Sequence, residues 1–74
     1  MLTYKKVNEE IKKLDPTAEL VKSFNGRFHY FIGKSVRNAP ESAVMIPRLN
    51  YLSINSWIEE FKEKQIESER WTRK

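Results

Sequence analysis

The sequence predicts an α+β domain of element order α-β-β-β-α, a three-stranded antiparallel sheet with both helices packed on one face. Three observations predict it. Apolar residues recur at helical spacing near both ends of the chain. Asn25-Gly26 separates two strand-like runs, which is the strongest short-range hairpin signal. A third short apolar run, Ser42 to Ile46, stops at Pro47, a residue that ends a strand or marks an edge.

In the first helix Thr3 is a suitable N-cap, and Leu2 and Val7 stand at the positions of a hydrophobic staple. Tyr4, Val7, Ile11 and Leu14 form one apolar stripe, and Glu9 and Lys13 are spaced for an i,i+4 pair. Asp15-Pro16 ends the helix, because proline disfavours a helical residue before it and has no N–H to donate. The hairpin follows, Ala18 to Phe24 and Arg27 to Ile32, with both turn residues tolerating the positive φ of a type I′ turn. That turn sets Phe24 opposite Arg27, Ser23 opposite Phe28, Lys22 opposite His29, Val21 opposite Tyr30 and Leu20 opposite Phe31.

Side chains alternate across a strand. Val21, Phe28, Tyr30 and Ile32 therefore share one face, the more apolar one, and are expected in the core. Leu20, Lys22, Phe24, Arg27, His29 and Phe31 share the other. Residues 33–41 read as a loop. In the third strand Val44 and Ile46 point to the core, and Ala43 and Met45 point away. Ser53 caps the second helix, Leu52 and Trp57 form its staple, and Ile54, Trp57, Ile58 and Phe61 form its buried stripe, continued by Gln65. Glu60 and Lys64 are spaced to pair on its outer side. Residues 1–66 make one domain, and residues 67–74 read as a charged C-terminal tail that frays.

Size and composition limit the function. A chain of 74 residues is one domain with little stability to spare. With no cysteine it has no disulfide, thiolate metal site or thiol nucleophile. No apolar run approaches the roughly 20 residues that span a bilayer, and the start of the chain lacks the pattern of a signal peptide. A soluble cytoplasmic protein is the default expectation. Net charge is +4, and the excess sits in residues 20–50, where Lys22, Arg27, Lys34, Arg37 and Arg48 face Glu41 alone.

No complete catalytic constellation is legible. The single histidine, His29, has no carboxylate that the sequence places beside it, since Glu19 points to the opposite face, and it reads as a surface-strand residue. With one His and no Cys a metal site is not expected, and two glycines supply no phosphate loop. No cofactor is expected. The remaining candidate is a binding surface on the open sheet face, made of Lys22, Phe24, Arg27, His29 and Phe31, with Met45 beside them. It combines cations for phosphates with rings for bases. The expected function is non-enzymatic binding of a protein or nucleic acid, with a protein slightly favoured. Ile66 and Trp71 form a second candidate surface, for a homodimer.

Three resemblances accompany this reading. The α-β-β-β-α order resembles the double-stranded RNA-binding domain, whose lysine cluster opening the second helix is replaced here by Ser53, Ile54, Asn55, Ser56 and Trp57. It also resembles HicA-type toxins, small ribonucleases, in Val44-Met45-Ile46-Pro47 followed by Leu52-Ser53-Ile54. Their Gly-Ser-His motif is matched by Gly26 and His29 with one residue more between them, and the likeness implies a ribonuclease using His29. Most of the chain looks similar to small uncharacterised phage and prophage proteins, in Ala18 to Lys22, Phe28 to Phe31, Arg48-Leu49-Asn50, Leu52-Ser53 and Trp57. That likeness implies a phage-type protein working in a bacterial cytoplasm.

Overall fold

The chain runs α1 (Tyr4–Leu14), β1 (Glu19–Lys22), β2 (His29–Ile32), β3 (Ala43–Val44) and α2 (Ile54–Thr72), with a 3-10 turn at Leu49–Tyr51 before α2. The structure, a computed structural model, describes residues 2–39 and 43–72. Ser42 of the expected third strand, Pro40 and Glu41 of the loop, and residues 73 and 74 of the expected tail lie outside the described residues. The strands form one antiparallel sheet in the order β1-β2-β3. Both helices lie on one of its faces, and the order α-β-β-β-α is the expected one.

Local signals account for the helices. Thr3 caps α1, its hydroxyl oxygen accepting from the Lys6 N–H at 3.2 Å. Val7 and Ile11 are buried, while Tyr4 and Leu14 sit at the stripe's exposed margins. Lys13 pairs with Glu10 at 3.0 Å, one turn position closer than Glu9. Ser53 caps α2, accepting from the Ser56 N–H at 3.2 Å, and Trp57 and Phe61 are fully buried. The helix continues to Thr72, beyond the expected start of the tail, and Ser68 is buried on its inner side.

The hairpin keeps its expected register but not its expected turn. Glu19 pairs with Ile32, Leu20 with Phe31, Val21 with Tyr30 and Lys22 with His29. The Ser23 N–H donates to the Phe28 carbonyl at 2.9 Å, and the Gly26 N–H to the Ser23 carbonyl at 3.0 Å. Only Gly26 has positive φ, +72°, so a type I′ turn, which needs two such residues, is excluded. Asn25 acts through its side chain, its Oδ1 accepting from the Arg27 N–H and the Ser23 hydroxyl. Four residues leave the ladder instead of two, symmetrically, so the pairing below is unchanged.

The face assignment is reversed. Leu20, His29, Phe31 and Val44 face the helices and pack with Val7, Ile11, Trp57 and Phe61, while Val21, Phe28, Tyr30 and Ile32 lie on the open side. Phe31 meets Phe61 at 5.3 Å and Trp57 at 6.5 Å between ring centroids. Val44 faces inward and Met45 outward, as expected. Val36, in the segment read as loop, is also core.

Polar side chains hold the periphery. Asn8 of α1 meets the free edge of β1: its Oδ1 accepts from the Leu20 N–H at 2.7 Å, and its Nδ2 reaches the Leu20 carbonyl at 3.5 Å. This covers backbone groups that a foreign strand would otherwise pair with. Asp15, past the end of α1, ties two loops together. Its carboxylate accepts from the N–H and hydroxyl of Thr17 at 2.9 and 2.7 Å, and from those of Ser35 at 3.0 and 2.6 Å. The Gln65 amide of α2 donates to the same Ser35 hydroxyl at 3.1 Å.

The Ser35 hydroxyl, then that of Thr17, holds the Asp15 carboxyl well below the ordinary carboxylate range, outweighing the opposing effect of burial. Because this pKa is depressed by folding, the unfolded chain takes up the proton first as the medium is acidified. The stabilisation is therefore complete above the ordinary Asp value of about 3.9 and lost progressively below it. Asp15→Asn is expected to lower stability at neutral pH by about 2 kcal/mol, the scale of hydrogen bonds to a charged group. Urea denaturation at stepped pH checks this. The gap between wild type and variant should narrow as pH drops below about 4, and a gap independent of pH would reject the assignment.

Candidate functional site

The residues expected to form one binding surface are divided among three places. Lys22, Phe24 and Arg27 are exposed around the β1–β2 turn, with Phe24 105 % exposed. His29 and Phe31 are 0 % and 2 % exposed, inside the core. Met45, 70 % exposed, is on the opposite sheet face. The expected basic-aromatic sheet face therefore does not exist as one surface. Alternation placed Leu20, His29 and Phe31 together correctly. Which side the helices cover is what differs.

His29 is a core residue and not a surface-strand histidine. The Ile46 carbonyl lies 2.8 Å from its Nδ1 and can only accept, so Nδ1 carries the proton. In the neutral imidazole Nε2 is then the acceptor for the Tyr4 hydroxyl at 2.7 Å. Partial burial raises the Tyr4 phenol above its ordinary value, which keeps it the donor. The imidazole stacks on the Tyr4 ring at 5.6 Å and meets the Trp57 ring in a T-shaped contact at 5.2 Å. Both nitrogens are thus occupied by the protein. The ring ties the start of α1, the segment just after β3, and α2 to the centre of the sheet. A ribonuclease role for His29 would require it to release one of these partners.

The uncovered sheet face presents Val21 from β1, Phe28, Tyr30 and Ile32 from β2 and its approach, and Ala43 and Met45 from β3 and its exit. The Phe28 and Tyr30 rings are neighbours, 6.2 Å between centroids. Ile32 and Met45 are well exposed and the others half-buried. Glu19, paired with Ile32, is the one charged residue the described strands place on this face. A sheet face of this composition loses water favourably against an apolar surface and offers no cation to phosphate. The members of this face were legible in the sequence as a group. What was missed is that the more apolar group stays outside.

Among the described residues no cluster of three or more His, Cys, Asp or Glu side chains is placed to hold a metal ion. No described helix is long and apolar enough to cross a membrane. Ile66 and Trp71 of α2 are each about half exposed. Compared with known proteins, the chain matches no family model, no curated protein and no solved structure.

Proposed function

We propose that this protein is a non-enzymatic binding module that engages a protein partner through the uncovered face of its sheet. One observation carries the reading: Val21, Phe28, Tyr30, Ile32 and Met45 form an apolar strip on the uncovered sheet face, with Glu19 its only charged neighbour on the described strands. Large apolar groups gathered on one open face, with charge kept to the margin, fit the core of a protein interface. The complementary surface is apolar, with a cation placed to meet Glu19. The occupied nitrogens of His29 support the non-catalytic part of the reading. The likeness to small phage proteins supports a phage-type accessory role in the cytoplasm of a bacterial host. A homodimer through Ile66 and Trp71 is a separate proposal, decided by whether Trp71→Ala changes the sedimentation mass.

The sheet-face reading is tested with Ile32→Glu combined with Met45→Glu, both solvent-facing positions where the change leaves the core intact. A photo-crosslinking side chain at Tyr30 is expected to trap the same host or phage protein each time. The paired charges should reduce trapping at least tenfold, by the cost of burying an unpaired carboxylate. Trapping that persists in the charged variant, or that is equally strong from Glu63 on the far side of α2, rules the face out.

A further inference from the structure

We infer that the end of the sheet beside the β1–β2 turn carries a second, separate site, which binds the backbone of single-stranded nucleic acid. A cleft of about 480 Å³ lies there, between the first turn of α1, the end of β1, and the segment that leads into α2. Lys22 enters it from β1, Arg48 and Asn50 from the approach to α2, and Tyr4 from α1. No carboxylate lines it. Neither Lys22 nor Arg48 has an ion-pair partner among the described residues, where the ion pair formed is Lys13–Glu10. Both side chains are exposed. Two uncompensated cations from segments far apart in sequence thus converge on one concavity.

The surroundings reinforce its sign. Tyr4 opens α1, an 11-residue helix with no acid in its first turn, so the positive end of the helix dipole beside the cleft is not offset. Lys5 and Lys6 are exposed in the same turn. The cleft also has a fixed wall. The Tyr4 hydroxyl is held by His29 Nε2 at 2.7 Å, and the Trp57 indole N–H donates to the Leu49 carbonyl at 2.8 Å, setting the path of the Arg48–Asn50 segment. At Gly26 a Cβ would come within 3.5 Å of Lys22 Cε, which places the lysine stem across the turn.

The ligand class follows from what flanks the cations. Phe24, two residues beyond Lys22 in the same turn, is fully exposed, and Arg27 follows it. Phe24 does not line the cleft, but it is exposed on the same turn as Lys22 and Gly26, which do, and such a ring at the rim provides stacking for an unpaired base whose phosphates meet the cations. A paired base has no accessible face for that ring, so a single strand is favoured over a duplex. A phosphorylated peptide would use the cations and leave Phe24 idle.

Fluorescence anisotropy of labelled oligothymidine and oligouridine, with a duplex of equal length and a phosphoserine peptide as comparisons, tests the site. Wild type should bind the single strands most tightly. The slope of log affinity against log salt should be about −0.7 for each phosphate contacted, which for two contacts is about −1.4. Lys22→Glu with Arg48→Glu should weaken binding at least tenfold, and Phe24→Ala about fivefold or more, from loss of one stacked base. All three positions are exposed, so unchanged thermal unfolding confirms that the fold is intact. Ile32→Glu with Met45→Glu should leave this binding as it is, which separates the cleft from the sheet face. Absence of binding at low salt, affinity indifferent to the paired charge reversal, or tighter binding of the duplex or the phosphopeptide overturns the inference.

Discussion

Trp57→Ala should remove about 3–5 kcal/mol of stability, the range for truncating a large buried aromatic. A chain of 74 residues holds roughly 4–11 kcal/mol in total, at roughly 0.05–0.15 kcal/mol per residue. The variant is therefore expected to be partly or wholly unfolded at ordinary temperatures. Trp57 is fully buried and meets the rings of both His29 and Phe31 in T-shaped contacts. Its indole N–H also satisfies the buried Leu49 carbonyl at 2.8 Å. Truncation opens a cavity under the sheet and orphans that carbonyl, and the two costs add. Trp57→Phe keeps most of the volume but loses the donor, so it should cost less than the alanine change, about 1–2 kcal/mol from the unpaired carbonyl plus a smaller packing loss. Urea unfolding of the three proteins measures the order. Equal losses for Ala and Phe would mean that the hydrogen bond, and not the packing, dominates. A loss below about 1 kcal/mol for Ala would contradict the central place of Trp57 in the core.

Gly33→Ala should destabilise by about 3 kcal/mol, combining overpacking with a backbone conformation that L-residues avoid. Gly33 has φ +140°, and a Cβ there would lie 2.7 Å from Ala18 Cα, 2.8 Å from Ala18 Cβ and 3.2 Å from Ala18 N. Two of these three atoms are backbone, so no rotamer change relieves the contact. Nor is the segment free to move away. Lys34 donates its N–H to the Thr17 hydroxyl at 3.0 Å, and Ser35 is tied to Asp15. Gly26→Ala is the internal control. That residue also has positive φ, +72°, but its Cβ would meet only the flexible end of Lys22 at 3.5 Å, so its cost is about 1 kcal/mol. Ala18→Gly should rescue Gly33→Ala only slightly, because it removes one of the three clashing atoms. Thermal unfolding of the single and double variants reads this directly. A full rescue would show that the backbone can part, and that the two loops are not clamped as the geometry requires.

The elements, their order and the helix starts were legible because their causes are local. Thr3 and Ser53 cap the helices through residues three positions away, Pro16 stops α1, and a short turn around Gly26 sets the strand register. Even the mistaken turn type left the register intact, since the pairing depends on how many residues leave the ladder equally from each side. The C-terminal tail was underestimated because its charged composition hides Ser68, whose burial depends on the neighbouring 33–39 segment.

Alternation along β1 and β2 divides the side chains into two sets and says nothing about which set is covered. Both sets here are apolar enough to be a core, Leu20 and Phe31 in one, Val21, Phe28, Tyr30 and Ile32 in the other. Local sequence determined the sets, the caps and the order α-β-β-β-α. Only the tertiary structure decided their sides, because the deciding contacts come from far along the chain. Trp57 and Phe61 pack on Phe31, and Tyr4 and the Ile46 carbonyl, 25 and 17 residues away, satisfy both nitrogens of His29. A polar ring is buried at little cost once both its nitrogens are bonded. That satisfaction, invisible in strand periodicity, makes the set containing His29 acceptable as a core face while the more apolar set faces outward.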